Sequence, residues 1–314
     1  MTVGPEQKTP LKIFAPREHL DYILEASFIR NCLLARLERP ASIIPIEAGQ
    51  PFPIMDNSLY LSLLNFSVPA VAAASAAGCR NIGVLHMGDE LGDLDLGWYE
   101  GVDYVLRHYW FPERCRLPPG GRCHDVLWLP NGYASGIGPR PRQTLLPASR
   151  REIRYFFSGR IPDNHPSTED RRTMLRSATE HQLPAFLKVT EGFAAGYKTA
   201  AFGALLENSR FALVPKGGAD ETVRLFDALE SGAIPISLAH PFLATPEALG
   251  SAPIVKLESW EQLPELHARI ESLTDAQLDE VQRDTIAWWW DYKEAMAGTV
   301  AGIIEASFAR AGVP

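Results

Sequence analysis

Short apolar runs rich in β-forming residues alternate with longer helical patterns through most of this sequence, and they do so in two separate series. The first series opens with "LKIFAP" at 11–16, and the second opens with "IRYFFSGR" at 153–160. Such alternation is typical of βαβ units, in which parallel strands form a sheet that helices cover. The sequence therefore predicts the α/β class, with two Rossmann-like sheets.

The predicted elements follow this order along the chain. In the first series we expect strands at 11–16, 42–48, 81–88, 103–111 and 125–133, with helices at 17–38 and 58–78. In the second we expect strands at 153–160, 185–192, 210–218 and 234–238, with helices at 167–182, 196–209 and 220–232. The chain then finishes with helices from Trp260 onward.

A composition change separates the two series. Residues 136–152 are rich in Pro, Gly and Arg and have little periodicity, which is typical of a linker. The length of 314 residues fits two domains. We therefore predict an N-terminal α/β domain at 1–145 and a C-terminal α/β domain at 146–314. The terminal helices are expected to cross back and brace the first domain.

Composition restricts the partners. The net charge of −8 argues against general binding to nucleic acid or to an anionic membrane. The first residues have no apolar run long enough for a signal peptide, and "VPAVAAASAAGC" is too short to span a bilayer, so we expect a cytoplasmic protein with at most peripheral membrane contact. No Gly-x-Gly-x-x-Gly follows either opening strand, so the dehydrogenase type of dinucleotide site lacks its fingerprint.

One loop in the second series indicates a phosphate site. "RFALVPKGG" reads as a buried strand that ends in Lys216, Gly217 and Gly218, and a helix is expected to start at Asp220 or nearby. A helix N-terminus offers unpaired N–H groups and partial positive charge, and glycines allow a phosphate close to the backbone. The candidate ligands of a nucleotide diphosphate are Lys216, Gly217, Gly218, Thr222 and Arg224, with Asp227 as acceptor from ribose hydroxyls. The alternative is an ordinary turn followed by a helix that Asp220 caps.

Two stretches of the second series resemble a known family. "SRFALVPKGGADETVRLFDALESGAIPISL" at 209–238 looks like the donor-binding signature of exostosin-like glycosyltransferases, and "YFFSGR" at 155–160 resembles the strand that opens their donor domain. In the first series, "IGVLHMGDE" and "VDYVLRHYWF" are similar to the branch related to ribitol xylosyltransferases. The sequence departs from the family pattern where Asp227 replaces the usual Glu and His108 stands where Asn is common.

The resemblance implies the GT-B fold, in which two Rossmann-like domains face a cleft, with 1–145 as the acceptor domain and 146–314 as the donor domain. It also implies sugar transfer with inversion at the anomeric carbon. It implies a nucleotide-sugar donor, UDP-linked by default, and a glycan or lipid-linked glycan acceptor, which we picture in bacterial surface polysaccharide synthesis. Arg160 joins the donor-binding residues, which supply enough positive charge that neither a metal nor a further cofactor is required.

The end of the predicted strand at 81–88 offers the general base. Asp89, Glu90 and His86 lie close together there, and Asp89 ranks first on its match to the family's Gly-Asp-Glu. Asp89 as a helix cap and His86 as a satisfied core residue are the alternatives. Arg107 is a candidate to hold a donor phosphate or an acceptor group, and a structural ion pair is the alternative.

Two further motifs have alternative interpretations, and two other functions are alternatives to a transferase. Asp93-Leu94-Asp95 matches a metal-binding tripeptide of another glycosyltransferase fold, although two carboxylates alone make a poor cation site. "WWW" at 288–290 offers sugar stacking, but packing between the domains is favoured. The rivals to a transferase are a non-catalytic glycan- or nucleotide-binding protein of the same fold and a sugar-nucleotide hydrolase or epimerase.

Overall fold

The structure is a computed structural model that describes residues 8–22, 25–118, 120–192 and 195–313. The chain divides into two compact units. Unit 1 consists of Met1–Pro130 with Glu294–Pro314, and unit 2 consists of Asn131–Lys293. The segment from 131 to 145, predicted as part of the first domain, thus groups with unit 2, and the C-terminal residues from Glu294 group with unit 1.

Unit 1 contains a six-stranded parallel sheet in the order β2-β1-β3-β4-β5-β6. Its strands are β1 (Leu11–Pro16), β2 (Ala41–Ile46), β3 (Ser58–Leu63), β4 (Ile82–Met87), β5 (Tyr104–Arg107) and β6 (Asp125–Trp128). The central strands β3 and β4 are buried over nearly their whole length, as expected for strands that helices and loops cover on both faces.

The predicted helix at 58–78 is wrong in its first part. The structure has strand β3 there, and helix α3 (Val68–Ala76) begins only after Ser67. The run "SLYLSL" alternates Leu with Ser or Tyr, which is a strand pattern, but it is short and leads directly into a mostly apolar stretch, and the two together were predicted as one long helix. Tyr60 lies in that run, and its hydroxyl donates to the carbonyl of Pro53 at 2.7 Å.

The predicted helix at 17–38 is broken into shorter pieces. Helix α1 (Arg17–Tyr22) is followed by α2 (Ala26–Phe28) and a π-helical turn at Ile29–Leu33. Residues 23 and 24 of the predicted helix lie outside the described residues. Phe28, Ile29 and Leu33 are all buried, so burial of their side chains stabilises these short turns where helical propensity alone would not.

Unit 2 contains a five-stranded parallel sheet in the order β11-β10-β9-β7-β8. Its strands are β7 (Ile153–Arg160), β8 (Ala185–Thr190), β9 (Ser209–Leu213), β10 (Ile234–Leu238) and β11 (Val255–Leu257), and its helices are α4 (Thr168–Glu180), α5 (Thr199–Glu207), α6 (Val223–Glu230), α7 (Leu263–Glu271) and the start of α8 (Asp275–Arg310). The chain runs from β7 to β8 on one side and returns to β9 on the other. The strand order therefore reverses between β7 and β9, where ligands of open α/β sheets usually bind.

The last helix ends in unit 1, as predicted. Arg39 forms a bidentate ion pair with Glu305, at 2.6 and 2.9 Å, and its guanidinium lies 3.3 Å from the ring centroid of Phe308. Arg310 pairs with Asp125 at the start of β6. Among the described helices, none combines the length and the apolar character that crossing a bilayer requires.

Candidate functional site

The carboxyl ends of β7 and β9 bring two predicted donor-site segments to one edge of the sheet of unit 2. Arg160 is the last residue of β7 and is exposed, and Lys216 follows β9 on a loop where it is half-buried. The loop turns tightly, since the N–H of Gly217 donates to the carbonyl of Ala219 at 3.0 Å. The two cations predicted from separate motifs therefore lie on adjacent strand ends.

Arg224 is the most constrained of the predicted donor-site residues. It is the second residue of α6, and its guanidinium lies 5.0 Å from the ring centroid of Phe157 on β7. A Cβ on Gly159 would stand 2.5 Å from its Nη2 atom, so the glycine of "FSGR" leaves room for this side chain. Nη2 makes one long contact, 3.4 Å to the carbonyl of Ser158, and Nε has no hydrogen-bond partner within the described ranges.

The environment of Arg224 is unfavourable for a cation that has no counter-ion. Burial, and then the positive charge of nearby Arg171, lower its pKa from 12.5 to about 10, while Asp227 opposes the shift. A guanidinium stays protonated at that value near neutral pH. The side chain thus remains a half-buried cation with spare donors, which favours an anionic ligand.

Helix α6 begins at Val223, three residues later than the predicted start at Asp220. Thr222 is its N-cap, in an extended conformation, and its side chain makes no capping hydrogen bond. The first N–H groups of a helix have no acceptor within the helix, so this terminus presents donors on the same edge of the sheet as Arg224. Asp220 instead lies 3.5 Å from Nδ1 of His240, which follows β10.

Asp227 does not present its carboxylate in the way that the sequence predicts. It is 5% exposed, and its Oδ1 accepts the N–H of Ala134 at 2.7 Å. Burial raises the pKa of Asp227 from 3.8 to about 7, against the lowering effect of that hydrogen bond and of Arg224. One oxygen of the predicted ribose acceptor is therefore already bonded to the protein backbone.

Two more acidic residues beside and on α6 bind the same preceding segment. Glu221 accepts the N–H of Asn131, and Glu230 accepts the N–H of Arg140, both at 2.7 Å. Glu230 also accepts Nε1 of Trp289 and Nζ of Lys293. The stretch 131–140 is thus held by side-chain acceptors, so the first part of the predicted linker at 136–152 is a fixed part of unit 2.

Asp89 and Arg107 form a buried ion pair in unit 1. Oδ2 of Asp89 lies 3.0 Å from Nη2 of Arg107 and 3.5 Å from Nη1 of Arg114, and Oδ1 accepts the N–H of Leu94. Asp89 is 2% exposed and Arg107 is 0% exposed. This geometry favours the structural alternatives for both residues, an acid that fixes the following loop and an arginine that is paired inside the protein.

His86 and Glu90 differ in how far they reach solvent. His86 is 1% exposed, its Nδ1 lies 2.5 Å from the hydroxyl of Tyr99, and burial is the first cause that lowers its pKa to about 4. Glu90, by contrast, is half-buried. Of the three predicted catalytic residues, Glu90 is therefore the one with an accessible side chain.

The remaining motifs have local structural roles. Oδ1 of Asp95 accepts the N–H of Gly97 at 3.0 Å, and Asp93 is exposed. Trp289 of the "WWW" run is fully buried and donates to Glu230 of the same unit, so its ring is not exposed for stacking on a sugar. Across the part of the chain that the structure describes, no three His, Cys, Asp or Glu side chains converge on a point where a metal ion could be held.

Two residues that the sequence analysis did not select also lie at the edge formed by β7 and β9. Asp170 and Arg171, in the first turn of α4, bind the main chain of Lys216, and Arg171 also binds that of Arg160. The signal was weak because their partners are backbone atoms. A charged pair in the first turn of the helix after β7 does, however, have to lie at the carboxyl edge of the sheet.

Comparison with known proteins agrees with this architecture. Residues 187–309 match the family model of the RXYLT1 C-terminal domain. An α,α-trehalose-phosphate synthase (UDP-forming) from Burkholderia vietnamiensis superposes with a TM-score of 0.52 at 10% identity, over 81% of this chain and 74% of that chain. Sucrose-phosphate synthase from Thermosynechococcus elongatus gives a TM-score of 0.52 at 14% identity, over 97% of this chain and 100% of that chain. No curated protein is significantly similar to the sequence.

These likenesses establish the fold. The two parallel sheets and their helices form two Rossmann-like domains of the GT-B type, which confirms the predicted fold class. The family model spans β8 to α8, so it includes the Lys216–Gly218 loop and Arg224 but begins after Arg160.

Proposed function

We propose that this protein is a glycosyltransferase that moves a sugar from a nucleotide-diphosphate donor to a hydroxyl group of a glycan or lipid-linked glycan. The observation that carries the proposal is Arg224, a half-buried guanidinium that lies beside Gly159 where the strand order reverses. Its Nε has no hydrogen-bond partner among the residues that the structure describes. The family-model match across this region supports the same assignment.

The donor part of the proposal is electrostatic. When the acceptor oxygen attacks the anomeric carbon, the bond from that carbon to the diphosphate breaks, and negative charge builds on the departing phosphate. In this proposal the charge is received by Arg160, Lys216 and Arg224, together with the N–H groups at the start of α6, which lie at one edge of the sheet of unit 2. We propose that these fixed donors neutralise the leaving group without a divalent metal, and that the nucleotide is UDP.

The acceptor part needs a base that takes the proton of the attacking hydroxyl. The inverting course requires one displacement at the anomeric carbon, with this base on the side of the acceptor. We assign the role to Glu90 in preference to Asp89, because the Asp89 carboxylate is buried against Arg107 and Arg114. Unit 1 is then the acceptor domain, and a role in bacterial surface polysaccharide synthesis belongs to the same proposal.

Separate substitutions of the two neighbouring acids distinguish these roles. Glu90→Gln should leave donor binding intact and lower single-turnover transfer by about two or more orders of magnitude, the usual effect of losing a general base. Asp89→Asn should instead lower the free energy of unfolding by about 3 to 5 kcal/mol, because it leaves the Arg107 charge buried and unpaired.

The measurements are rapid-quench transfer and chemical denaturation, with the exposed Glu113→Gln as the matched control. If Asp89→Asn keeps full stability and loses turnover while Glu90→Gln is fully active, the base is Asp89 and our assignment is wrong.

The buried Asp89–Arg107 pair is also compatible with an alternative function, binding of a sugar nucleotide without catalysis. A protein that binds sugar nucleotides without transferring the sugar would retain the cradle of unit 2 and use this pair only structurally. Such a protein would bind the donor and release no nucleoside diphosphate over many hours, whereas a hydrolase would release it without any acceptor.

The direct test of the donor assignment is thermal unfolding against UDP, GDP, CDP and dTDP and their common sugar conjugates, each with and without EDTA. A ligand present at 100 times its dissociation constant stabilises a protein by about 2.7 kcal/mol, which is visible as a shift of several degrees. We expect a selective shift with one nucleotide series that EDTA leaves unchanged. No shift with any nucleotide would contradict the proposal, and a shift that EDTA abolishes would contradict its metal-independent form.

A further inference from the structure

Arg171 connects the two segments that carry the proposed phosphate ligands. Its Nη1 donates to the carbonyl oxygen of Arg160 at 2.5 Å, and its Nε donates to that of Lys216 at 3.2 Å. One rigid planar guanidinium therefore bonds to the end of β7 and to the loop after β9. A lysine could not reproduce this two-directional fork.

Asp170 binds the same loop through the main-chain N–H of Lys216, whereas Arg171 binds the carbonyl of that residue. Its Oδ2 accepts the main-chain N–H of Lys216 at 2.7 Å, and its Oδ1 accepts Nε1 of Trp260 at 2.7 Å. Trp260 is 1% exposed and belongs to the hydrophobic core of unit 2. The carboxylate is thus anchored to the core, and both main-chain groups of Lys216 are bonded to consecutive residues of α4.

Helix α4 is a stable base for this arrangement. It is 13 residues long, and Met174 and Ala178 on its inner face are buried in unit 2. The residues that follow Lys216 are glycines, which have more backbone freedom to lose than any other residue. Contacts that fix such a loop before a ligand arrives reduce the ordering that binding would otherwise require.

The charge of Arg171 adds a second effect. It is one of the groups that lower the pKa of Arg224, so the two guanidiniums lie close enough to repel each other. An anion between or beside them relieves that repulsion. The loop is therefore held in place by a side chain whose own charge favours a phosphate at the same edge.

We propose that Asp170 and Arg171 are positioning residues that fix the Lys216–Gly218 loop beside the end of β7, so that it receives the diphosphate of the donor without rearrangement. The second half of this statement rests on the proposed function, and the first half concerns the protein without a ligand. The two halves have separate measurements.

The first measurement is amide hydrogen exchange in the ligand-free protein. Arg171→Met should speed exchange in the peptide that covers 214–219 about tenfold or more, while strands β9 and β10 keep their protection. The matched control is Arg172→Met, which removes the same charge from the next residue, an exposed arginine paired with Asp163 at the surface. Equal exchange in the two variants would overturn the positioning role whatever the protein binds.

The second measurement compares the affinity of two ligands that carry a diphosphate, UDP and inorganic pyrophosphate, with that of uridine, which carries none. Arg171→Met should weaken binding of UDP and of inorganic pyrophosphate about tenfold or more, and leave the affinity for uridine unchanged. Arg171→Lys keeps the charge but loses the fork, so it should recover only part of the UDP affinity. A merely structural residue would weaken UDP and uridine alike, and that result, or unchanged UDP affinity, would overturn the inference.

Failure of the inference and failure of the proposed function give different results. If the wild-type protein binds neither UDP nor any other nucleoside diphosphate, the proposed function and the ligand half of the inference are wrong, while hydrogen exchange still decides the loop contact. If the wild type binds and Arg171→Met matches Arg172→Met in both measurements, only the inference is wrong.

Discussion

At the scale of single residues, the donor edge of unit 2 depends on a glycine that makes room for an arginine. Gly159 has no side chain at the point where Nη2 of Arg224 lies, and Phe157 on the same strand supports the guanidinium. The pair could be predicted in part, because both residues belong to motifs visible in the sequence. Their mutual contact could not, because it joins β7 to α6 across the fold.

Gly159→Ala tests this contact. The new methyl group should displace the guanidinium and weaken nucleoside diphosphate binding about tenfold or more, with a stability loss of about 1 to 3 kcal/mol from overpacking. The control is Gly298→Ala in α8, where a Cβ would meet nothing within 4 Å. Calorimetric titration and chemical denaturation of the two variants check it, and full affinity in Gly159→Ala would show that the position of Arg224 is not required.

At the scale of elements, α6 and the residue before its N-cap bind the preceding segment through three carboxylates. Glu221, Asp227 and Glu230 each accept one backbone N–H from residues between 131 and 140. Sequence alone predicted the second half of this segment, from residue 136, as the start of a linker rich in Pro, Gly and Arg. Composition cannot reveal that its N–H groups have acidic acceptors about 90 residues later, and those acceptors are the reason why it belongs to unit 2.

The raised pKa of Asp227 gives this element a pH dependence. The folded protein holds its carboxyl proton up to about pH 7, whereas the unfolded chain releases it near 3.8. Between these values the folded state binds more protons, so ionisation of this group lowers the free energy of unfolding as pH rises. Asp227→Asn keeps an oxygen acceptor for Ala134 and removes the titration.

We therefore expect Asp227→Asn to match the wild type near pH 4 and to become the more stable protein toward pH 7. The difference should reach a few kcal/mol, at about 1.4 kcal/mol for each pKa unit. Denaturation at several pH values measures it, with the exposed Asp284→Asn as control. A difference that stays constant across this range would mean that Asp227 ionises normally in the folded protein.

At the scale of the whole molecule, periodicity predicted the class and most strands. The bounds of β1, β7 and β10 agree with the runs "LKIFAP", "IRYFFSGR" and "IPISL". It failed where a short alternating run leads directly into a helix, as in β3, and where an element is very short, as in the unpredicted three-residue β11. For the candidate site, the sequence motifs indicated charged side chains such as Arg224. They did not indicate Arg171, because its partners are main-chain atoms of residues that are distant in the sequence.

The central claim is that the edge formed by β7, β9 and α6 binds a nucleoside diphosphate through Arg224. Calorimetric titration of UDP, or of the nucleotide that gives the largest thermal shift, into wild type and Arg224→Ala tests it most directly, with the exposed Arg176→Ala as control. We predict a loss of about 1.5 to 3 kcal/mol in Arg224→Ala, roughly ten- to 150-fold in the dissociation constant, and none in Arg176→Ala. Equal affinity in all three proteins would contradict the claim.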